Sequence, residues 1–355
     1  MFIKVITLNE AEEWLDIVKS FKESDVYFHP EYCRAFQENG DGEPMVFYLE
    51  DDCGRVANVF LKRDLHLDKR FKDLVPAGEF YDITTVYGYG GPLYEATDFE
   101  KLKQCFDREF KAFCNENSIV SDFVRFHCIF GNQRLMEGNY DIESVRTTIY
   151  FDLTEGEKHI WDNLESGCRN NIKRAQKYGV TVEIGRDSRL LENFKELYKQ
   201  TMDRDNASSY YYFNESFFET TMEGLKNNSL IFAADYEDRI VAAAIVIFGD
   251  GFAHFHFGAS DRSYSNLRPN NLLMYEIAIW AQRQGKKMFH LGGGAAGSDD
   301  SLFRFKKTFS KTNRLPFFIG RKVYNEAAYS ALVKLRIEND KGFNSASTFF
   351  PKYRG

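Results

Sequence analysis

No two of the six cysteines form a CxxC pair; they stand at positions 33, 53, 105, 114, 128 and 168. That scatter argues against a disulfide frame or a zinc site and fits reduced thiols in a cytoplasmic protein. No apolar run exceeds Ile240 to Phe248, which is too short to span a bilayer, so membrane association is expected to be peripheral at most. Near the start, Glu10, Glu12, Glu13 and Asp16 stand where a secretory signal would carry its apolar core. A positive charge balance is also missing. The net charge of −7 argues against whole-surface attraction to nucleic acid, and no DNA partner is expected, although a local basic groove can still hold phosphate.

Aromatic residues are plentiful. The 34 Phe and 20 Tyr lift the aromatic share to 16%, beside 28% charged residues, a globular composition. A chain of 355 residues exceeds the usual single-domain range, so two domains are expected, 1–150 and 151–355.

Thr7 and Glu10 have capping-box spacing, followed by an amphipathic helix with Trp14, Leu15, Val18 and Phe21 on one side. Residues 44–49 and 56–61 read as a hairpin about Asp51-Asp52-Cys53-Gly54. The stretch 80–94, FYDITTVYGYGGPLY, mixes glycines and tyrosines so closely that it reads as an ordered loop, with Asp82 and Tyr89 as candidate substrate-binding residues. A helix over 98–117 and a strand over 123–130 follow. The second half repeats this order: strands at 230–236, 239–248 and 252–258, a helix entered at Pro269 and stopped by Gly285, then a strand at 286–291. The recurrence points to two related α/β lobes.

The repeat delivers the chain to Gly292-Gly293-Gly294. A polar stretch, Ser298 to Asp300, can cap a helix that begins near Asp300. At about 100° per residue, Leu302, Phe305 and Phe309 share a side with Lys306, while Arg304 and Lys307 point away. An ammonium on an apolar face near a helix start is costly without a polar partner; the alternative is a snorkelling lysine beside a glycine turn.

Arg169, Lys173 and Lys177 recur every fourth residue, with Arg174 alongside. They form either a solvated face or, for Arg169 and Lys173, a phosphate contact. Arg204 and Tyr210 to Tyr212 sit in a segment rich in turn-formers, where an arginine among phenols suits phosphate or carboxylate recognition. His254 and His256 share a strand face without a third ligand at a telling spacing, so packing is the favoured reading and no metal is expected. His290 adjoins the glycines and is an acid–base candidate.

RNNIKRAQKYGV, YKQTMDRDNASSYYYF, RPNNLLMYEIAIWAQRQG and FHLGGG followed by DSLFRFKKTF resemble, in this order and spacing, the Fem (FemAB) peptidoglycan-bridge transferases and the BioF2-like acyltransferases of the GNAT superfamily. YDITTVYGYGGPL resembles that family's aromatic-glycine loop. The resemblance implies an α/β (α+β) fold of two tandem GNAT-like lobes, each a mixed, mostly antiparallel sheet flanked by helices. It also implies transfer of an acyl or aminoacyl group to an amine. Phe305 and Lys306 would then line the transfer site. Arg204 and Tyr212 would bind substrate, and a phosphate-bearing acceptor, an envelope precursor or nucleotide-linked sugar, would lie in the cleft between lobes. The donor is open between acyl-CoA and aminoacyl-tRNA. The long paired-helix arm of some Fem enzymes has no counterpart, and SNLRPN stands where ordinary GNAT enzymes carry the Q/R-x-x-G-x-G/A turn that holds coenzyme A.

The chemistry itself requires orientation of an amine and an acyl carbonyl, a proton acceptor and an oxyanion stabiliser. Lys306 suits the last task, the Gly292, Gly293 and Gly294 amides could add dipoles, and Asp82 or a substrate phosphate could take the proton. Two other readings share these residues: a coenzyme-A-dependent N-acetyltransferase acting on a small amine, and a non-catalytic pair of lobes that only binds ligand.

Overall fold

The computed structural model describes residues 1–294 and 299–355; of the three candidate helix caps, Ser298 lies outside them. The chain runs β1 (Phe2–Thr7), α1 (Ala11–Ser20), α2 (Pro30–Glu38), β2 (Glu43–Asp51), β3 (Gly54–Asp64), β4 (Tyr81–Thr84), β5 (Gly91–Ala96), α3 (Phe99–Glu116) and β6 (Ile119–Arg125). It continues through β7 (Asp141–Asp152), α4 (Gly156–Asn163), α5 (Ser166–Lys177), β8 (Thr181–Gly185), α6 (Ser188–Arg204), α7 (Phe217–Gly224), β9 (Ser229–Tyr236), β10 (Arg239–Phe248) and β11 (Phe252–Ser260). It closes with α8 (Pro269–Arg283), β12 (Met288–Gly292), α9 (Ser301–Lys307), β13 (Arg314–Val323) and α10 (Glu326–Asn339). Two compact units form, one from residues 1–145 and 317–355, the other from 146–316. Residues 317–355, grouped by sequence with the second half, therefore pack in the first unit. Among the described residues no helix is long and apolar enough to cross a membrane.

In the first unit the strands pair in the order β1, β2, β3, β4, β6, β13, antiparallel except for the parallel β4–β6 step, and β5 pairs with the early part of β3. The parallel step needs a crossover, which α3 supplies. Phe106, Phe110 and Phe113 recur at helical spacing on α3 and meet the sheet at Phe47 and Phe60, with centroids 5.1 Å apart for Phe47–Phe110 and 5.8 Å for Phe60–Phe110. The expected irregular loop over 80–94 is confined to 85–90. Tyr81 to Thr84 pair with β3 on one side and β6 on the other, a non-local pairing that the glycines around them hid. The expected strand at 123–130 begins earlier, at Ile119, and ends at Arg125.

A buried polar cluster ties the C-terminal segment to this unit. The Asp122 carboxylate accepts a hydrogen bond from Tyr140 at 2.7 Å. Burial nevertheless pushes its pKa up to about 7, against that bond and the charges of Lys322 and Arg63. A folded pKa above the unfolded value means that stability is greatest below about pH 4 for this group and is lost as pH rises toward 7. Asp122→Asn is therefore expected to flatten that decline, read as urea midpoints at pH 5 and pH 8; an unchanged slope would assign the decline to other groups.

The second unit repeats the topology. Its strands pair in the order β7, β12, β11, β10, β9, β8, antiparallel except for the parallel β11–β12 step, here crossed by α8. In each unit the strand closing the sheet beyond the parallel step comes from outside the repeated run: β13 follows it in the first unit, and β7 precedes it in the second. The repeat read from sequence is thus a repeat of topology. Helix α8 packs among other elements, burying nine of its residues from Pro269 to Ala281. Phe151, Phe289 and Phe309 bring β7, β12 and the residues after α9 into one core.

Candidate active site

The parallel ladder between β11 and β12 has three register pairs and ends at His254↔His290. Beyond it β11 continues to Ser260 paired with β10. The β10 register slips there: Ile245 faces Phe257 and Val246 faces Phe255, which leaves His256 as the extra residue of a β-bulge. Beyond His290, Gly292 takes φ +74°, a left-handed conformation that favours glycine and turns the chain out of β12. The two parallel strands therefore stop pairing at a fork, and the glycine corner stands on its β12 side.

Helix α9 brings a lysine into this fork. Asp300 caps it, its Oδ1 accepting from the Phe303 amide at 2.8 Å. The helix buries Phe303 and Lys306, whereas Leu302, expected on the apolar side, is exposed. The inward stripe is centred one residue later than the sequence reading had it, so Lys306 lies in the stripe itself. Its side chain is 7% exposed. Its Nζ donates to the Gly293 carbonyl at 2.9 Å and lies 5.9 Å from the centroid of Phe255, the first β11 residue past the ladder's end. Burial lowers its pKa to about 8; the Asp300 carboxylate opposes the shift and Arg146 adds to it. Phe305 is half-buried and edge-on to Phe309 at 5.1 Å, part of the wall behind the lysine.

The glycines serve this arrangement through their carbonyls. Arg146 of β7 donates from Nη1 to the Gly294 carbonyl at 3.0 Å, beside the Lys306–Gly293 bond. With the Gly293 oxygen turned toward Lys306, the planar trans peptide directs the Gly294 N–H to the opposite side, which removes it as a dipole aimed with the lysine. A Cβ on Gly294 would stand 2.4 Å from the Asp300 carboxylate, so only glycine lets the helix cap approach so closely. Arg146 had no reading from sequence, where nothing local ties a strand arginine to a distant glycine carbonyl, and Asp300 was expected only as a helix cap.

The remaining candidates lie elsewhere in their units. Asp82 is fully buried, with Arg63 Nε at 2.7 Å, Tyr353 Oη at 3.2 Å and Arg354 on both its oxygens. Burial raises its pKa, but the Arg354 and Arg63 guanidinium groups outweigh that and hold it below the ordinary carboxylate range. The geometry gives it a structural role in place of proton acceptance. Tyr89 packs edge-on against Tyr27 at 5.5 Å and Phe317 at 5.4 Å. Arg169 donates to the Leu164 carbonyl at the end of α4, and the exposed Lys173 lies 5.6 Å from the Trp161 centroid.

Arg204 ends α6, bonded to Asp205 and, at 2.9 Å, to the Ser260 carbonyl at the end of β11. Tyr212 donates to Asp203 at 2.9 Å and lines a separate cleft of about 600 Å³ on the flank of α6, with Tyr211, Phe213 and Tyr198. Neither the glycine corner nor Lys306 borders that cleft. His254 and His290 are buried with centroids 5.7 Å apart, and His290 Nε2 lies 2.8 Å from Thr148 Oγ1. Burial, aided by His254, drives the His256 pKa to about 3, so that imidazole is neutral at physiological pH.

Residues 164–307 match the acetyltransferase (GNAT) domain model Acetyltransf_6, a span that ends one residue past Lys306. Among solved structures, FemX is similar over 93% of this chain and 99% of its own, with a TM-score of 0.68 and 15% identity. The C-terminal domain of a putative lysylphosphatidylglycerol synthetase from Agrobacterium fabrum is similar over 93% and 95%, with a TM-score of 0.54 and 12% identity. L-PGS from Bacillus licheniformis is similar over 86% and 95%, with a TM-score of 0.50 and 12% identity. At these identities the likeness is one of fold. No curated protein matches the chain significantly. The fold is thus like that of FemX, and the second unit carries an acyltransferase domain of the GNAT type.

Proposed function

With a GNAT acyltransferase domain in its second unit, the chain is, we propose, an N-acyltransferase that moves an acyl or aminoacyl group to an amine of a cell-envelope precursor or a nucleotide-linked sugar. The observation that carries this reading is the Lys306 ammonium, buried at the fork between β11 and β12. Past the fork, β11 has an edge that β12 does not pair, which suits an extended donor bearing amides of its own.

In the reaction the amine nitrogen forms a bond to the acyl carbon, and the carbonyl oxygen becomes an oxyanion. Collapse breaks the C–S or C–O bond to the donor; the nitrogen loses a proton and the departing group gains one. The burial of the Lys306 ammonium supports a role for it in stabilising that oxyanion before collapse. Direct transfer needs no covalent intermediate, so no nucleophilic Ser or Cys is required. Five of the six free cysteines are buried, in keeping with a cytoplasmic site of action.

The donor is tested by thermal shift with acyl-CoAs and with aminoacyl-tRNA, followed by mass analysis of an amine acceptor. A donor at 100 times its Kd adds about 2.7 kcal/mol to stability. One donor class is expected to raise Tm and to yield an acylated amine. A shift without product would favour the binding-only reading, and no shift from either class would overturn the assignment.

A further inference from the structure

Two cations hold neighbouring carbonyls of one corner: Lys306 that of Gly293 and Arg146 that of Gly294. They approach from different elements, α9 and β7, and α9 is itself capped by the carboxylate lying against Gly294. Arg146 stacks its aliphatic stem on the same corner, since a Cβ on Gly293 would meet its Cδ at 3.2 Å and the Thr147 carbonyl at 3.0 Å. We propose that Arg146 is a positioning residue for acyl transfer, gripping the glycine corner so that the Lys306 ammonium is held at the fork beside a second positive charge.

This inference rests on the transferase reading for its purpose, though not for its geometry. If Lys306 alone faced the corner, the Gly293–Gly294 peptides could rotate and carry the ammonium with them. The Arg146 bond removes that freedom at the second carbonyl, and Asp300 removes it from the helix side. The charges about Lys306 are Asp300 at the start of α9 and Arg146 on β7. Arg304 is ion-paired outward with Asp299, and the imidazoles on the strands are His254 and His256 of β11 and His290 of β12. Removing the Arg146 charge leaves the Asp300 carboxylate as the nearer influence, so the ammonium becomes easier to keep.

The test is an NMR titration of the Lys306 side chain, with no substrate present, in the full chain and in two variants. Arg146→Gln is expected to raise the Lys306 midpoint from about 8 by about half a pH unit, the effect of deleting a nearby like charge. Arg146→Lys keeps the charge and is expected to leave the midpoint near that of the parent. In turnover assays the glutamine variant is expected to lose kcat more than KM, with partial rescue by lysine. A midpoint unmoved in Arg146→Gln, or raised equally in Arg146→Lys, would overturn the proposal. Should Arg146→Gln prove too unstable to titrate, Arg146→Met, which also removes the charge, is titrated in its place. The titration needs no acyl donor, so failure to find turnover would count against acyl transfer without touching this result.

Discussion

Lys306→Ala is expected to lower turnover by about 10²–10³, the usual loss when one oxyanion donor is removed, while far-UV circular dichroism stays unchanged. The more informative partner is Lys306→Met, which keeps the volume and discards the charge. The unfolded lysine holds its proton up to about pH 10.5, whereas the buried one gives it up near 8. Between those values the unfolded chain binds more protons, so the parent's stability rises with pH across that window. Below it the folded state carries the whole cost of the buried ammonium, on the order of 3 kcal/mol. The methionine variant is expected to lose this slope, read as urea midpoints from pH 7 to 10, and to be as inactive as the alanine variant. The ammonium role also gives the parent an alkaline decline in rate centred near pH 8. Full activity in Lys306→Met would reduce the lysine to wall packing and remove the basis for acyl transfer.

Arg354→Ala is expected to destabilise the first unit by about 3–5 kcal/mol, because it strips a guanidinium from a fully buried carboxylate. Asp82 would keep Arg63 and the Tyr353 hydroxyl, and Asp68 would lose its other arginine partner beside Arg70. The sign with pH follows from a depressed carboxylate pKa. The contribution of Asp82 is present above its unfolded value, near 4, and disappears as pH falls through the lower folded value. Without Arg354 that folded pKa rises, so acid unfolding is expected to begin at higher pH, alongside a lowered urea midpoint at pH 7. A loss below about 1 kcal/mol would mean that the pair behaves like an exposed one.

Locally encoded features were legible in the sequence. The Thr7–Glu10 capping box, the entry of α8 at Pro269 and the Asp300 cap all form as their side chains dictate within a few residues. What escaped depends on distant partners. β4 is four residues long and owes its identity to strands on both sides. Asp82 looked like a free carboxylate because its arginine partners stand on another strand, 19 residues away, and near the C-terminus, 272 residues away. Lys306 was found by helical spacing although the companion set was partly wrong: burial of Phe303 instead of Leu302 depends on the sheet that α9 meets. Arg146 could not be found, since it sits in a strand without any motif and acts on a backbone oxygen.

The return of β13 to β6 bears on how the protein is made. The first unit's partner for Ser121 to Arg125 is Ile319 to Val323, encoded after all 171 residues of the second unit, 146 through 316. On a ribosome that emits the chain from its N-terminus, the half that appears first keeps an open sheet edge at β6 until its last strand arrives. While it stays unpaired, that edge is the nascent first unit's exposure to mispairing.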